Sequence, residues 1–122
     1  MLSKEFRLKK KYQFNYVYRT GKSVGAKLLI LYFCPSKNAN VKVGISVSKK
    51  IGGAIVRNKT KRRIREAIMP YLKSLKPNFN VVLIAKQTIV NASFDEIKSE
   101  LNYLLKKANL KENNEKSAKS DN

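Results

Sequence analysis

Five cationic side chains, Lys59, Lys61, Arg62, Arg63 and Arg65, crowd the stretch NKTKRRIREA at residues 58–67, and only Glu66 accompanies them. Guanidinium forks grip phosphate oxygens two at a time, so residues of this type at this density suit a polyanion. Ile64, Ala67, Ile68, Tyr71, Leu72 and Leu75 recur at spacings of three and four, which predicts an amphipathic helix beginning near residue 58. Projected at about 100° per residue, the apolar positions Ile64, Ala67, Ile68, Tyr71 and Leu75 share one arc. Asn58, Lys61, Arg62 and Arg65 form the adjoining arc, Lys59 and Arg63 lie toward the back, and Arg57 comes just ahead. A helix start already carries roughly half a positive charge and favours acids. Cations loaded there gain nothing from folding, so their reason lies with an anionic partner, to which the free N–H groups of a helix start would also donate. A charge run is ordinarily a solvated face. Here the shortage of acids to pair with argues against that.

The imbalance extends through the chain. Its 122 residues carry 27 Lys and Arg against 8 Asp and Glu, a formal net charge of +19, and up to residue 94 the only acids are Glu5 and Glu66. Self-repulsion on this scale favours a polyanionic partner, nucleic acid first and an anionic membrane surface second. No apolar run approaches the roughly 18 residues of a membrane span. The N-terminal stretch MLSKEFRLKKKYQF has no apolar core or small-residue cleavage site, unlike a secretory signal. Cys34 is the single cysteine and the chain has no histidine, so general acid–base work, nucleophilic catalysis and metal ligation all lack their usual residues. Asp95, Glu96 and Glu100 sit on a predicted helix, where capping accounts for the first two. The Gly52-Gly53 pair follows neither glycine-loop order of nucleotide-binding motifs and reads as a tight connection.

The elements that must position the cluster follow from periodicity. Residues 1–11 form a basic arm with Phe6 and Leu8 as anchors. Residues 12–20 predict a short helix ended by Gly21 in the usual left-handed position. Phe14, Val17 and Tyr18 share one face of it, and Tyr12 and Tyr16 another. Residues 26–34 predict a strand apolar on both faces, with Leu29, Leu31 and Phe33 on one and Leu28, Ile30, Tyr32 and Cys34 on the other. Residues 41–47 alternate, with Val41, Val43, Ile45 and Val47 inward and Lys42, Gly44 and Ser46 outward. After the cationic helix, which Pro70 should kink or end, come a strand at 80–86 and a last helix capped by Ser93 and Glu96. Its buried stripe is Phe94, Ile97, Leu101, Leu104, Leu105 and Ala108. The composition places a single domain in residues 1–108 and a disordered polar tail in 109–122. Two long helices can cover one sheet face. The short first helix would meet the other and leave a groove, where Phe14, Tyr18 and Tyr32 are either core or a stacking surface for single-stranded RNA.

The blocks RLKKKYQFNYVYRTGKSV, VGISVSKKIGGAIVRNKTKRRIREA and VVLIAK, in this order, resemble the protein component of bacterial ribonuclease P, from about residue 7 to 108. The resemblance implies an α/β (α+β) two-layer sandwich like the second domain of ribosomal protein S5. That fold has about four strands, three helices and a left-handed βαβ crossover, against the usual right-handed rule. It implies a subunit without an active site of its own, which helps a catalytic RNA and its magnesium ions remove the 5′ leader of precursor tRNA in the cytoplasm, one protein per RNA. Magnesium would be held mainly by the RNA. By the resemblance, Arg57, Asn58, Lys59, Lys61, Arg62 and Arg65, with Lys49 and Lys50, would face the catalytic RNA. Phe14, Val17, Tyr18 and Tyr32 would line the cleft for the leader. The family's arginine–asparagine–arginine core reads Arg57-Asn58-Lys59 here, and a lysine keeps the charge but lacks the planar fork. A ribosomal or general RNA-binding protein is the alternative, and a protein-only nuclease the other rival.

Overall fold

In the computed structural model, which describes residues 2–111, the doubly apolar run becomes an inner strand of a four-stranded sheet. The strands are β1 (Lys22–Gly25), β2 (Leu29–Pro35), β3 (Lys42–Ser46) and β4 (Phe79–Ala85), in the order β1-β2-β4-β3. β1 and β4 flank β2 antiparallel, whereas β3 runs parallel to β4 and reaches it through helix α2 (Ala54–Ile68). Register sets the two faces. Leu29, Leu31 and Phe33 stand opposite Ala85, Leu83 and Val81, and this face packs with Val43 under α2 and helix α3 (Phe94–Lys107). Tyr32 and Cys34 stand opposite Val82 and Asn80, on the face covered by helix α1 (Lys11–Thr20). Two-sided burial explains why β2 lacks polar alternation.

Several boundaries differ from the sequence expectation, each for a local reason. β1 went unforeseen because KSVG carries no apolar alternation; it forms by pairing with β2, Val24 opposite Leu31. Gly21 does end α1, but with an extended backbone (φ −90°, ψ 177°) rather than a left-handed one. Close packing demands it instead, since a Cβ there would lie 2.5 Å from the Phe33 carbonyl oxygen and 2.6 Å from that of Val17. Gly52 is where positive φ (155°) matters, whereas a Cβ on Gly53 would meet nothing. α2 ends at Ile68, and Pro70 sits in a 3₁₀ turn, Met69–Tyr71. The N-terminal arm is tied down: Leu2 and Leu8 are buried, and the Leu8 N–H donates to the Val43 carbonyl at 3.0 Å. At the other end, residues 109–111 belong to the fold and not to the polar tail expected from composition. Leu110 is buried in the core and Lys111 bridges to Leu75, because Leu110 fills the space beside Leu75 and Leu105. Residues 112–122 of the expected tail lie outside the described residues.

α3 obeys its own signals. The Ser93 hydroxyl accepts from the Glu96 N–H and the Glu96 carboxylate from the Ser93 N–H, a complete capping box. One acid has a role that spacing did not reveal: Glu100 Oε2 accepts from the N–H groups of both Leu28 and Leu29, each at 2.7 Å, pinning the start of β2 to α3. Bonds to a charged acceptor contribute about 1.5–3 kcal/mol. Glu100→Ala is therefore expected to lower the unfolding free energy by about 2 kcal/mol in urea titrations, with Glu100→Gln losing less. Equal midpoints for all three proteins would show that water replaces the carboxylate at no cost.

Candidate nucleic-acid interface

α2 starts at Ala54, one turn before the expected residue 58. Its first turn is Ala54, Ile55, Val56 and Arg57, and its N-cap Gly53 offers no side chain. The macrodipole acts within the first turn, so its conflict with the cations falls on Arg57 alone; the rest follow farther along. The expectation of helix-start N–H groups beside Asn58 is corrected accordingly. The shift arises because Val56 and buried Thr60 continue the row of Ile64 and Ile68 backward at spacings of four, and glycines interrupt it only at Gly52 and Gly53. Ahead of them, Lys49 and Lys50 are exposed on a 3₁₀ turn anchored by buried Ile51 and by the Ser48 hydroxyl, which accepts from the Lys50 N–H.

The arcs hold. Ile64, Ala67 and Ile68 are sealed in the core, while Asn58, Lys59 and Arg62 are exposed and Lys61 and Arg65 half-buried. Two arginines are committed internally: Arg57 Nε donates to the Gly52 carbonyl (3.2 Å) and Arg63 to the Ala92 carbonyl (3.0 Å). Arg63 therefore ties α2 to the start of α3, next to buried Thr60, whose hydroxyl donates to Val56 O. Ile55, 85% exposed beside Lys59, is an apolar member of this surface that charge alone does not mark.

On the opposite sheet face, Val17 is 0% exposed, packed with Leu8, Cys34 and Val82. It supports the aromatic surface from behind and does not line it, correcting its expected contact role; its position on the helix centreline points it at the sheet. Phe14, Tyr18 and Tyr32 are half-buried around this cluster, Tyr18 and Tyr32 edge to face at 5.2 Å. Gly44 leaves room for the Phe14 ring, because a Cβ there would come within 2.4 Å of Cζ. Burial raises the Cys34 thiol pKa against the opposing bond to Thr20, so the thiol stays protonated.

Two further hollows flank α1. One, of about 350 Å³, is walled by Lys4, Arg7, Lys9, Lys10, Gln13 and Lys42, and the other, of about 380 Å³, by Tyr12, Gln13, Asn15, Tyr16, Arg19 and Asn80. A larger opening, about 690 Å³, lies between residues 26–28 and α3. Among the described residues no three His, Cys, Asp or Glu side chains gather, so the protein's own donors do not fit a metal ion. No described helix is long and apolar enough to cross a membrane.

A family model described as Ribonuclease P matches residues 2–109. The ribonuclease P protein component of Clostridium botulinum is 42% identical over 108 residues, covering 88% of this chain and 97% of that one. That of Thermoanaerobacter pseudethanolicus is 35% identical over 116 residues, covering 95% and 100%. Among solved structures, the Staphylococcus aureus RNase P protein superposes with a TM-score of 0.80 at 35% identity, covering 88% of this chain and 98% of that one. The Thermotoga maritima RNase P protein gives 0.76 at 27% identity, covering 83% and 96%. Since the match spans the sheet, all three helices and both surfaces described above, the chain belongs to the ribonuclease P protein family.

Proposed function

We propose that the outward arc of α2, with Lys49 and Lys50, docks on the RNA subunit, and that the aromatic face beside α1 holds the 5′ leader of precursor tRNA. The chain is the protein subunit of ribonuclease P, whose catalysis is magnesium-dependent and belongs to RNA; no protein group performs the cleavage. On this reading Arg62, Arg65, Lys61, Asn58 and Lys59 meet RNA phosphates, and Arg57 adds charge while braced on Gly52. Phe14, Tyr18 and Tyr32 stack on leader bases, with Val17 behind them. The magnesium ions sit on the RNA, one protein serves one RNA, and the assembly works in the cytoplasm.

The observation that carries this reading is the division of α2 into a sealed apolar arc and an open cationic one. Where two RNAs approach, their phosphates repel, and protein cations lower that cost. Each neutralised phosphate releases counterions, so affinity should fall with salt at a log–log slope of about −0.7 to −0.9 per contact. A preparation freed of nucleic acid tests the whole. Alone it should leave precursor tRNA uncut, and added to the RNA subunit it should lower the magnesium needed for leader removal. Cleavage without RNA, or no effect on the RNA's magnesium requirement, would overturn it.

A further inference from the structure

Tyr12 and Tyr16 remain unexplained by either surface. They are 68% and 49% exposed, on the flank of α1 turned away from Val17, so the core does not need them. Four residues apart on a helix, they rise about 6 Å relative to one another. That is close to the roughly 7 Å that one flat base needs between two rings at ordinary carbon contact. The Arg19 guanidinium lies 5.9 Å from the centre of the Tyr16 ring, which leaves cation and aromatic surface side by side. Together with Asn80 these residues wall the 380 Å³ cleft, in which no acid appears.

The adjoining hollow supplies the second half of a nucleotide site. It carries the five cations Lys4, Arg7, Lys9, Lys10 and Lys42, and Gln13 walls both hollows. Gln13 is fixed there, its Oε1 accepting from the N–H groups of Lys9 and Lys10 at 3.1 and 3.0 Å. Lys42 and Asn80 are partners across β3 and β4, so the basic and aromatic halves also meet on the sheet. A cationic track beside exposed rings is what single-stranded nucleic acid requires, since every base has a face to stack and every linkage a phosphate. Bases within a duplex are unavailable to such rings.

We infer that this flank of α1 is a second site for single-stranded RNA, with a phosphate in the basic hollow and a base on Tyr12 and Tyr16. Its occupant is a further stretch of the precursor's leader, continuing from the Phe14, Tyr18 and Tyr32 face to this flank of α1. The inference rests on the reading of the Phe14, Tyr18 and Tyr32 face as the leader site. The α2 stripe lies across the sheet and belongs to the other RNA.

The test uses the reconstituted ribonucleoprotein and precursors whose leaders are lengthened one nucleotide at a time. Tyr12→Ala with Tyr16→Ala should weaken binding of long-leader precursors about tenfold or more. Binding of the shortest leaders and assembly with the RNA subunit should not change. Ala is the best helix former, so α1 should persist, and Tyr12→Phe with Tyr16→Phe should keep the long-leader affinity. Unchanged long-leader binding by the Ala pair, while Phe14→Ala still weakens short-leader binding, overturns the second site and leaves the first standing. Equal losses at every leader length, or lost assembly, overturn it too. If Phe14→Ala also has no effect, the underlying leader reading fails and this site with it.

Discussion

Replacing Arg62 and Arg65 together with Ala is expected to weaken assembly with the RNA subunit by a hundredfold or more while the fold stays intact. Both side chains leave α2 on the arc adjoining the buried one, Arg62 exposed and Arg65 half-buried. Hydrogen bonds to charged partners contribute about 1.5–3 kcal/mol each, so the pair should account for roughly 3–6 kcal/mol of binding. Their loss from the free protein removes like-charge repulsion and two side chains that the core does not use, so circular dichroism and the urea midpoint should barely move. The salt dependence supplies an independent check, since losing two phosphate contacts should flatten the log–log slope by about 1.4–1.8. Arg63→Ala is the contrasting control. Its guanidinium donates to the Ala92 carbonyl at 3.0 Å, so its removal should lower stability first and RNA affinity only secondarily. Unfolding of the Arg62/Arg65 variant would mean that the stripe holds the protein together, and docking would need another surface.

The contrast between Arg62 and Arg63 also marks how far the sequence could be read. Helical spacing separates Ile64, Ala67 and Ile68 from the cationic arc, because burial follows the 3.6-residue period whatever the partner is. It placed Arg63 toward the back, but could not say that α3 starts there with a carbonyl to satisfy. That depends on a contact 29 residues away in the chain. The same limit applies to Glu100, whose partners at Leu28 and Leu29 lie across the fold. It applies to Gly21, where the extended backbone of the structure shows close packing at work and not a left-handed turn. Alternation in residues 41–47 correctly turned Val43 inward, yet Gly44, read as outward, is buried under Phe14. Period-two patterning tells which side a residue takes, not whether that side is covered. The charge cluster begins one turn inside the helix, so it marks residue 58 and not the true start at Ala54. Ala54, Ile55 and Val56 already belong to α2, and Ile55 escapes burial although it is apolar. Val17 shows the reverse error: grouped with the aromatic residues beside it, it is the part of that face no ligand can touch.

The distinction between Val17 and its neighbours decides what the aromatic face proposed for the leader should do when altered. Phe14→Ala with Tyr32→Ala is expected to lower the affinity for precursor tRNA by about ten- to a hundredfold and to leave that for mature tRNA unchanged. Stacked bases contribute roughly 1–3 kcal/mol each, and mature tRNA has no leader to lose. The double substitution also removes half-buried rings, Tyr32 among them packed edge to face on Tyr18 at 5.2 Å, so some stability will go with the affinity. Gly44→Ala separates the two effects. Its Cβ would fall 2.4 Å from Cζ and 2.6 Å from Cε2 of Phe14, and the far end of that ring can swing aside where backbone could not. The ring would be displaced but kept, so much of its apolar burial would survive while its position against a base would not. Gly44→Ala should therefore reproduce part of the loss in precursor affinity with a smaller drop in the urea midpoint. Measured side by side in the reconstituted ribonucleoprotein, a ratio of precursor to mature affinity that stays at the wild-type value in all these variants would return Phe14 and Tyr32 to the core. A ratio that falls in step with the displacement of Phe14 assigns the discrimination between the two tRNAs to this face of the sheet, on the side opposite α2.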